Sequence, residues 1–349
     1  MAALDRRGFL TATLASLGAG LTPDRAAAAG DFQRTVPPAS PGRIDVHHHF
    51  APPAWIAEVK GRPLLQPANT RWTPEQSIED MDRGGVAAAV VSITNPGIWF
   101  GDAVQTRRLA RACNDYGATL VRDHPGRFGL FAVLPLPDVD ATLAEIAHAY
   151  DSLHADGVGV LTSYGDTWLG HRSLRPVMEE LNRRHAVVAV HPTAANCCRN
   201  LDYAPGIGPG SIEYGTDTTR AIMGVTFSGD AVRFPDIRFI WSHAGGTAPF
   251  LAGRIEGAAN GAKDALPQGF AHELKRFYYD LAGAANRGAV SSLLQLVPAA
   301  QILFGTDFPP GGTSASVAKS LSEMGLLSDI DLRAIERENA IRLLPRFRA

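Results

Sequence analysis

The chain has 349 residues, 45% of them hydrophobic and 19% charged, with a formal net charge of -2. That length and apolar content suit one large domain with a full core and exclude a small disulfide-stapled module. A nearly neutral charge supplies no basic footprint for nucleic acid and no cationic stripe for a membrane surface, which leaves small molecules as the expected partners.

The N-terminus reads as a separate object. Arg6-Arg7-Gly8-Phe9-Leu10 precedes a weakly apolar stretch, Leu14 to Leu21, and then the small-residue run Ala26-Ala27-Ala28-Ala29. This is the layout of a secretory leader, and the paired arginines resemble a twin-arginine signal. Residues 1–29 are therefore read as a signal peptide and 30–349 as the mature domain, destined for the periplasm or secretion; the alternative is an incidental N-terminal extension on a cytoplasmic protein. The apolar run is too short for a membrane-spanning helix, so no stable membrane insertion is expected.

After the leader, short apolar runs alternate with longer stretches of helical character. The strands are expected at Ile44 to His47, Val86 to Ile93, Phe128 to Leu134, Gly157 to Leu161, Ala186 to His191, Ile237 to His243, Phe277 to Leu281 and Gln301 to Asp307. Helices are expected at Asp102 to Gly117, Val139 to His154, Leu174 to His185, Asp217 to Phe234 and Asn286 to Leu296, with a closing helix over Asp329 to Leu344, capped by Ser328 or Asp329 and ended by Pro345. Eight such units in about 300 residues predict an α/β protein with a closed (β/α)8 TIM barrel. An open doubly wound sheet is the alternative, but no Gly-x-Gly-x-x-Gly follows the first strand. The segments Pro52 to Glu75 and Thr193 to Thr216 are read as long loops at the mouth of the barrel, and the three cysteines, Cys113, Cys197 and Cys198, form no disulfide framework.

The first strand carries the most informative pattern, Asp45-Val46-His47-His48-His49. Alternation along a strand puts His47 and His49 on one face, about 7 Å apart, near enough to share one ion, and sends His48 the other way. His191, His243 and Asp307 each follow an apolar run at the strand end that faces a barrel's site. Closure makes the first and eighth strands neighbours, which sets Asp307 beside His47 and His49 and brings His191 across the mouth. Three imidazoles and one carboxylate suit a divalent cation, Zn2+ first and Mn2+ or Fe2+ as alternatives, with no organic cofactor. Spacing leaves open which of His191 and His243 coordinates. The lysines are Lys60, Lys263, Lys275 and Lys319, none near Leu161 at the end of the fourth strand, which favours one metal over two.

Jointly these residues resemble the amidohydrolase superfamily, in particular its decarboxylase branch with aminocarboxymuconate semialdehyde, γ-resorcylate and 6-methylsalicylate decarboxylases. The resemblance rests on Ile44 to His49, Ala189-Val190-His191-Pro192, Trp241 to Gly246 and Phe304 to Pro309, and it spans nearly all of the mature chain. It implies that His47, His49, His191 and Asp307 ligate the metal and that His243 stands free near the substrate. It also implies a non-oxidative decarboxylase of a small ortho-hydroxy aromatic or conjugated acid, with Asp307 as proton donor assisted by His243. Hydrolysis of a lactone, ester or amide is the alternative, since the same residues could activate water; a non-catalytic binding barrel is the third reading. Where some relatives carry a carboxylate-binding arginine, this chain reads Trp72-Thr73-Pro74-Glu75, so either Arg71, Arg62 or an arginine of a second subunit in a homodimer serves, or the substrate is held differently. Phe50, Trp55, Trp72, Trp99, Phe100, Tyr164 and Trp168 follow strands and could grip an aromatic ring, with Trp99 and Tyr164 preferred.

Overall fold

A computed structural model describes residues 42–62, 67–193 and 209–348. The leader expected at residues 1–29 and the pair Cys197 and Cys198 lie outside the described residues. From the N-terminal side the elements are β1 (Arg43–His49), α1 (Pro53–Val59), α2 (Pro74–Gly84), β2 (Val86–Ser92), α3 (Ala103–Asp123), β3 (Phe128–Val133), α4 (Val139–Ala147) and β4 (Gly157–Leu161). A short antiparallel pair, β5 (Ser163–Tyr164) and β6 (Thr167–Trp168), precedes α5 (Arg175–Arg183), β7 (Val187–His191), α6 (Glu213–Phe227), α7 (Asp230–Arg233) and β8 (Arg238–Trp241). The chain continues with α8 (Ala248–Ala259), α9 (Phe270–Leu274), β9 (Tyr278–Asp280), α10 (Arg287–Leu294), β10 (Ile302–Leu303), α11 (Ser314–Glu323), α12 (Asp329–Arg333) and α13 (Asn339–Leu343).

Eight strands form one sheet in the order β1-β2-β3-β4-β7-β8-β9-β10. Its two ends meet. The N–H of Val46 donates to the Phe304 carbonyl at 3.0 Å, that of Asp307 to His47 at 2.8 Å and that of His49 to Phe308 at 2.8 Å, while His48 bridges Phe308 in parallel register. Closure leaves no sheet edge, and the (β/α)8 barrel stands in place of the open alternative. The strands read as continuous apolar runs because both faces are covered. Ile44, Val46, Ala88, Val90, Phe131, Ile240 and Leu303 fill the barrel, whereas neighbours such as Ala89, Val91 and Leu130 face the surrounding helices.

All eight expected strands are present, but several helices differ from expectation. The helix read over Asp217 to Phe234 begins earlier, at Glu213, and breaks after Phe227, where Gly229 adopts a φ of 78°, a left-handed turn that costs a glycine little. The helix expected over Val139 to His154 leaves α geometry after Ala147 for a π turn, His148–Ser152. Pro52 to Glu75 is more than a loop: Pro53 starts α1, and Thr73 and Gln76 form a capping box that opens α2. The helices α8 and α11 were not anticipated. Gly84 on α2 lets α11 approach closely, since a Cβ there would stand 2.5 Å from the backbone carbon of Ser314.

The tail behaves as its capping residue implies. Ser328 accepts from the N–H of Asp331, and the helix runs on through a π turn, Ala334–Glu338, to Leu343. Glu336 pairs with Arg43 at 2.7 Å, at the start of β1, and Ala340, Leu344 and Phe347 join the interior layer. The tail thus covers the N-terminal end of the barrel and leaves the opposite mouth for a site. Among the described residues no helix is long and apolar enough to cross a membrane.

Candidate metal centre

His47, His49, His191 and Asp307 converge at that mouth, all four buried, with one donor atom from each lying within 4.8 Å of the others. The ring centroids of His47 and His49 are 4.9 Å apart, those of His49 and His191 4.9 Å, and those of His47 and His191 5.2 Å. The register of β1 against β2 shifts between Asp45 and His48. A break of this kind re-aims side chains, and here the consecutive residues Val46 and His47 both line the same cavity.

His48 turns away, as alternation requires, and becomes structural. Its Nδ1 lies 3.0 Å from Asp45 Oδ2, its Nε2 lies 2.8 Å from Ser77 Oγ, and its ring stacks on Phe308. Asp45 also accepts from the N–H of His47 at 3.0 Å and from the N–H and hydroxyl of Thr306 at 3.1 and 2.6 Å. One buried carboxylate therefore ties the end of β1 to the segment that carries Asp307. This function of Asp45 was not read from the sequence, where it appeared only as part of the histidine pattern.

The hydrogen bonds settle which ring nitrogens face inward. His49 Nδ1 meets the Ser92 carbonyl at 3.3 Å and His191 Nδ1 meets the Pro192 carbonyl at 2.7 Å. A carbonyl only accepts, so both rings carry their proton on Nδ1. His47 Nδ1 donates likewise to Asp280 Oδ2 at 2.9 Å. The three Nε2 atoms are left bare when the rings are neutral, with His47 and His49 only 3.1 Å apart at Nε2 and His191 Nε2 buried without a partner. Asp307 Oδ1 adds a negative oxygen 2.9 Å from His49 Nε2 and 3.4 Å from His47 Nε2. Lone pairs so close repel unless a proton or a metal cation sits among them, and this donor set fits a divalent ion.

Without an ion the electrostatics divide the rings: His47 is held charged, with a second proton where an ion would sit, while His49 and His191 are kept neutral. Burial works against charge on His47, yet the carboxylates of Asp280 and Asp307 hold its pKa well above the usual value. Burial, reinforced by His49 and His47, pushes His191 well below it, and burial also lowers His49. Burial would raise Asp307, but hydrogen bonds from His243, His47 and His49 carry it well below the ordinary carboxylate range. His243 stands apart from the four-residue cluster, with its Nε2 3.8 Å from Asp307 Oδ2 and its Nδ1 buried without a partner.

Backbone strain gathers at the same place. Asp307, His243 and Ala244 have φ values of 60°, 56° and 57°, the left-handed region that costs a residue with a side chain about 1–3 kcal/mol. Gly311 makes the Asp307 turn feasible: its N–H donates to the Asp307 carbonyl at 2.7 Å, and a Cβ in its place would stand 2.3 Å from Asp307 Oδ2. Gly311→Ala should therefore displace the carboxylate and lower turnover by about 10-fold or more while melting within a few degrees of wild type, which paired kinetics and thermal unfolding would check.

An apolar cavity reaches the imidazoles of His47 and His191 and is lined further by Ile98, Leu161, Tyr164 and Ser242. The end of β4 thus contributes Leu161 rather than an anion, consistent with a single ion. Tyr164 lines the cavity as expected, although its hydroxyl already accepts from the Leu161 N–H at 2.9 Å. Trp99 packs against the core and Arg71 is exposed on a 3-10 turn; neither lines this cavity. Arg62 pairs with Glu58 and covers the ring of Phe100. Phe50, Trp55 and Trp72 are core residues, and Trp168 is half-buried on β6. Two residues were missed. Tyr214 on α6 packs beside His191 and His243 with a buried, unpartnered hydroxyl, and Asp280 ends β9; an acid closing an apolar strand was the available signal for the second.

A closed (β/α)8 barrel with three imidazoles and an aspartate at its C-terminal mouth defines a class of barrel enzymes that work through a bound divalent ion. The amidohydrolase family model matches residues 44–346, and the chain belongs to that family. It is 37% identical to decarboxylase yanB of Aspergillus niger over 87% of this chain and 88% of that one. It is 32% identical to the 6-methylsalicylic acid decarboxylase of Penicillium expansum over 88% and 97%. Among solved structures, a dihydroxybenzoic acid decarboxylase from Polaromonas with bound manganese and the inhibitor 2-nitroresorcinol shares the fold at a TM-score of 0.75, with 20% identity over 88% of this chain and 98% of that one.

Proposed function

We propose that this enzyme is a metal-dependent, non-oxidative decarboxylase of a small aromatic acid with a hydroxyl ortho to its carboxylate. The observation that carries the reading is the convergence of His47, His49, His191 and Asp307 beside an apolar cavity that His47 and His191 line; the names of similar relatives support the reaction. His47, His49, His191 and Asp307 would hold the ion, with zinc the first choice from the donor set and manganese supported by the Polaromonas relative. When bound, a divalent cation supplies Lewis acidity and anchors the oxygen of the substrate.

The chain's own residues supply the proton path. Asp307, kept ionised at rest, takes the proton of the ortho-hydroxyl and passes it to the ring carbon bearing the carboxylate. A C–H bond forms there. The bond to the carboxylate then breaks, its electron pair restores the aromatic ring, and CO2 leaves; the phenolate product takes a proton from water. His243, beside Asp307, and the free hydroxyl of Tyr214 would orient the departing carboxylate. Ile98 and Leu161 line the apolar cavity beside His47 and His191 and would keep water from a carbon held there. Delivery to the periplasm by the twin-arginine route belongs to the same proposal, supported by Arg6-Arg7 and Ala26 to Ala29.

The test is incubation of the metal-loaded enzyme with ortho-hydroxy aromatic acids and, in parallel, with lactones, esters and amides. Saturable release of CO2 with the matching phenol is expected. Cleavage of an ester, lactone or amide without CO2 release from any acid would replace this reading with hydrolysis.

A further inference from the structure

The carboxylate of Asp280 is engaged through both oxygens beside the centre. It is 2% exposed. Its Oδ2 accepts from His47 Nδ1 at 2.9 Å, and its Oδ1 accepts from the backbone N–H groups of His243 and Ala282, each at 3.1 Å. The neighbouring barrel strand is shaped to allow this contact: at Gly305 a Cβ would stand 2.9 Å from the Cβ of His47 and 3.1 Å from that of Asp280.

We propose that Asp280 is a positioning residue that sets both halves of the site at once. One oxygen fixes His47 in the Nδ1–H tautomer with Nε2 bare toward the ion, and the other pins the left-handed backbone of His243 that aims its imidazole at Asp307. The inference rests on reading the four-residue cluster as a metal centre.

The two oxygens face different chemistry, so an asparagine separates the roles. In Asp280→Asn the side-chain carbonyl must face the two N–H donors of His243 and Ala282, because an NH2 there would oppose them. The amide NH2 is then left facing His47 Nδ1 and can only donate to it. His47 must shift its proton to Nε2, where it competes with the ion. The backbone of His243 stays in place. Asp280→Ala removes both supports.

Three measurements test this. Nitrogen-detected NMR of the metal-free protein, at a pH where the His47 ring is neutral, should find its single proton on Nδ1 in wild type and on Nε2 in D280N. Titration with zinc or manganese should give an affinity about 10- to 100-fold weaker in D280N. Amide exchange at His243 and Ala282 should match wild type in D280N and be faster in D280A. A neutral wild-type His47 whose single proton sits on Nε2, D280N affinities within about twofold of wild type, or unchanged exchange in D280A would overturn the proposal. If wild type binds neither ion, the metal reading fails, and the tautomer and exchange measurements still decide the role of Asp280. If D280N does not fold, D280A and the wild-type tautomer carry the decision.

Discussion

Asp307→Asn should lower kcat by about 10^3-fold or more while leaving the barrel folded. Asparagine keeps the shape of the side chain and tolerates the left-handed backbone at this position, where φ is 60°. It cannot carry the proton from the hydroxyl to the ring, and it offers a neutral oxygen to the ion. The loss should therefore lie mainly in kcat, with circular dichroism unchanged; residual turnover above about a tenth of wild type would refute the role.

The same substitution has a signature in the metal-free protein. The folded pKa of Asp307 is depressed, so its contribution to stability is present above the unfolded value, near 4, and is lost as pH falls through the folded one. His47 is shifted the other way. Its contribution is full below about 6.5 and is lost as pH rises through its elevated folded value. Both terms coexist between about pH 4 and 6.5, and there Asp307→Asn should lower the Tm of the chelated protein most. The difference should shrink toward alkaline pH as His47 discharges.

His191→Ala should weaken zinc binding by more than about 100-fold, beyond what loss of a residue that only orients a ligand produces. His191 makes no contact through Nε2, and burial keeps it uncharged. The metal-free protein loses the bond from Nδ1 to the Pro192 carbonyl and the ring contacts with His47, His49 and Tyr214, so its Tm should fall by several degrees, and the readout is the shift on adding zinc. Wild type should gain several degrees when zinc is added because the ion binds only the folded state, and the variant should gain none. His243→Ala is the contrast: turnover should fall while the zinc-induced rise in Tm persists. Equal rises in wild type and His191→Ala would remove His191 from the ligand set and make His243 the alternative.

Local physics made the barrel legible. Runs such as Val187-Val188-Ala189-Val190 and Ile302-Leu303-Phe304 are apolar throughout because parallel strands are covered on both faces, and the polar residue that ends each run marks the mouth. Helix limits were less legible where geometry departs from a plain α-helix, as at Gly229 and the π turn after Ala147. The helices α8 and α11 were missed, although the Thr313 and Ser316 box was in view.

By itself the order of residues determined that His47 and His49 share a face and that His191, His243 and Asp307 end strands, because alternation and strand termination are properties of consecutive residues. Only the tertiary structure decided that His191 joins the cluster while His243 stands off it, that Asp45 and Asp280 brace it, and that Arg71 and Trp99 are not among the residues lining the cavity. Those outcomes depend on barrel closure and on contacts between residues as far apart in sequence as His47 and Asp280, which no local pattern encodes.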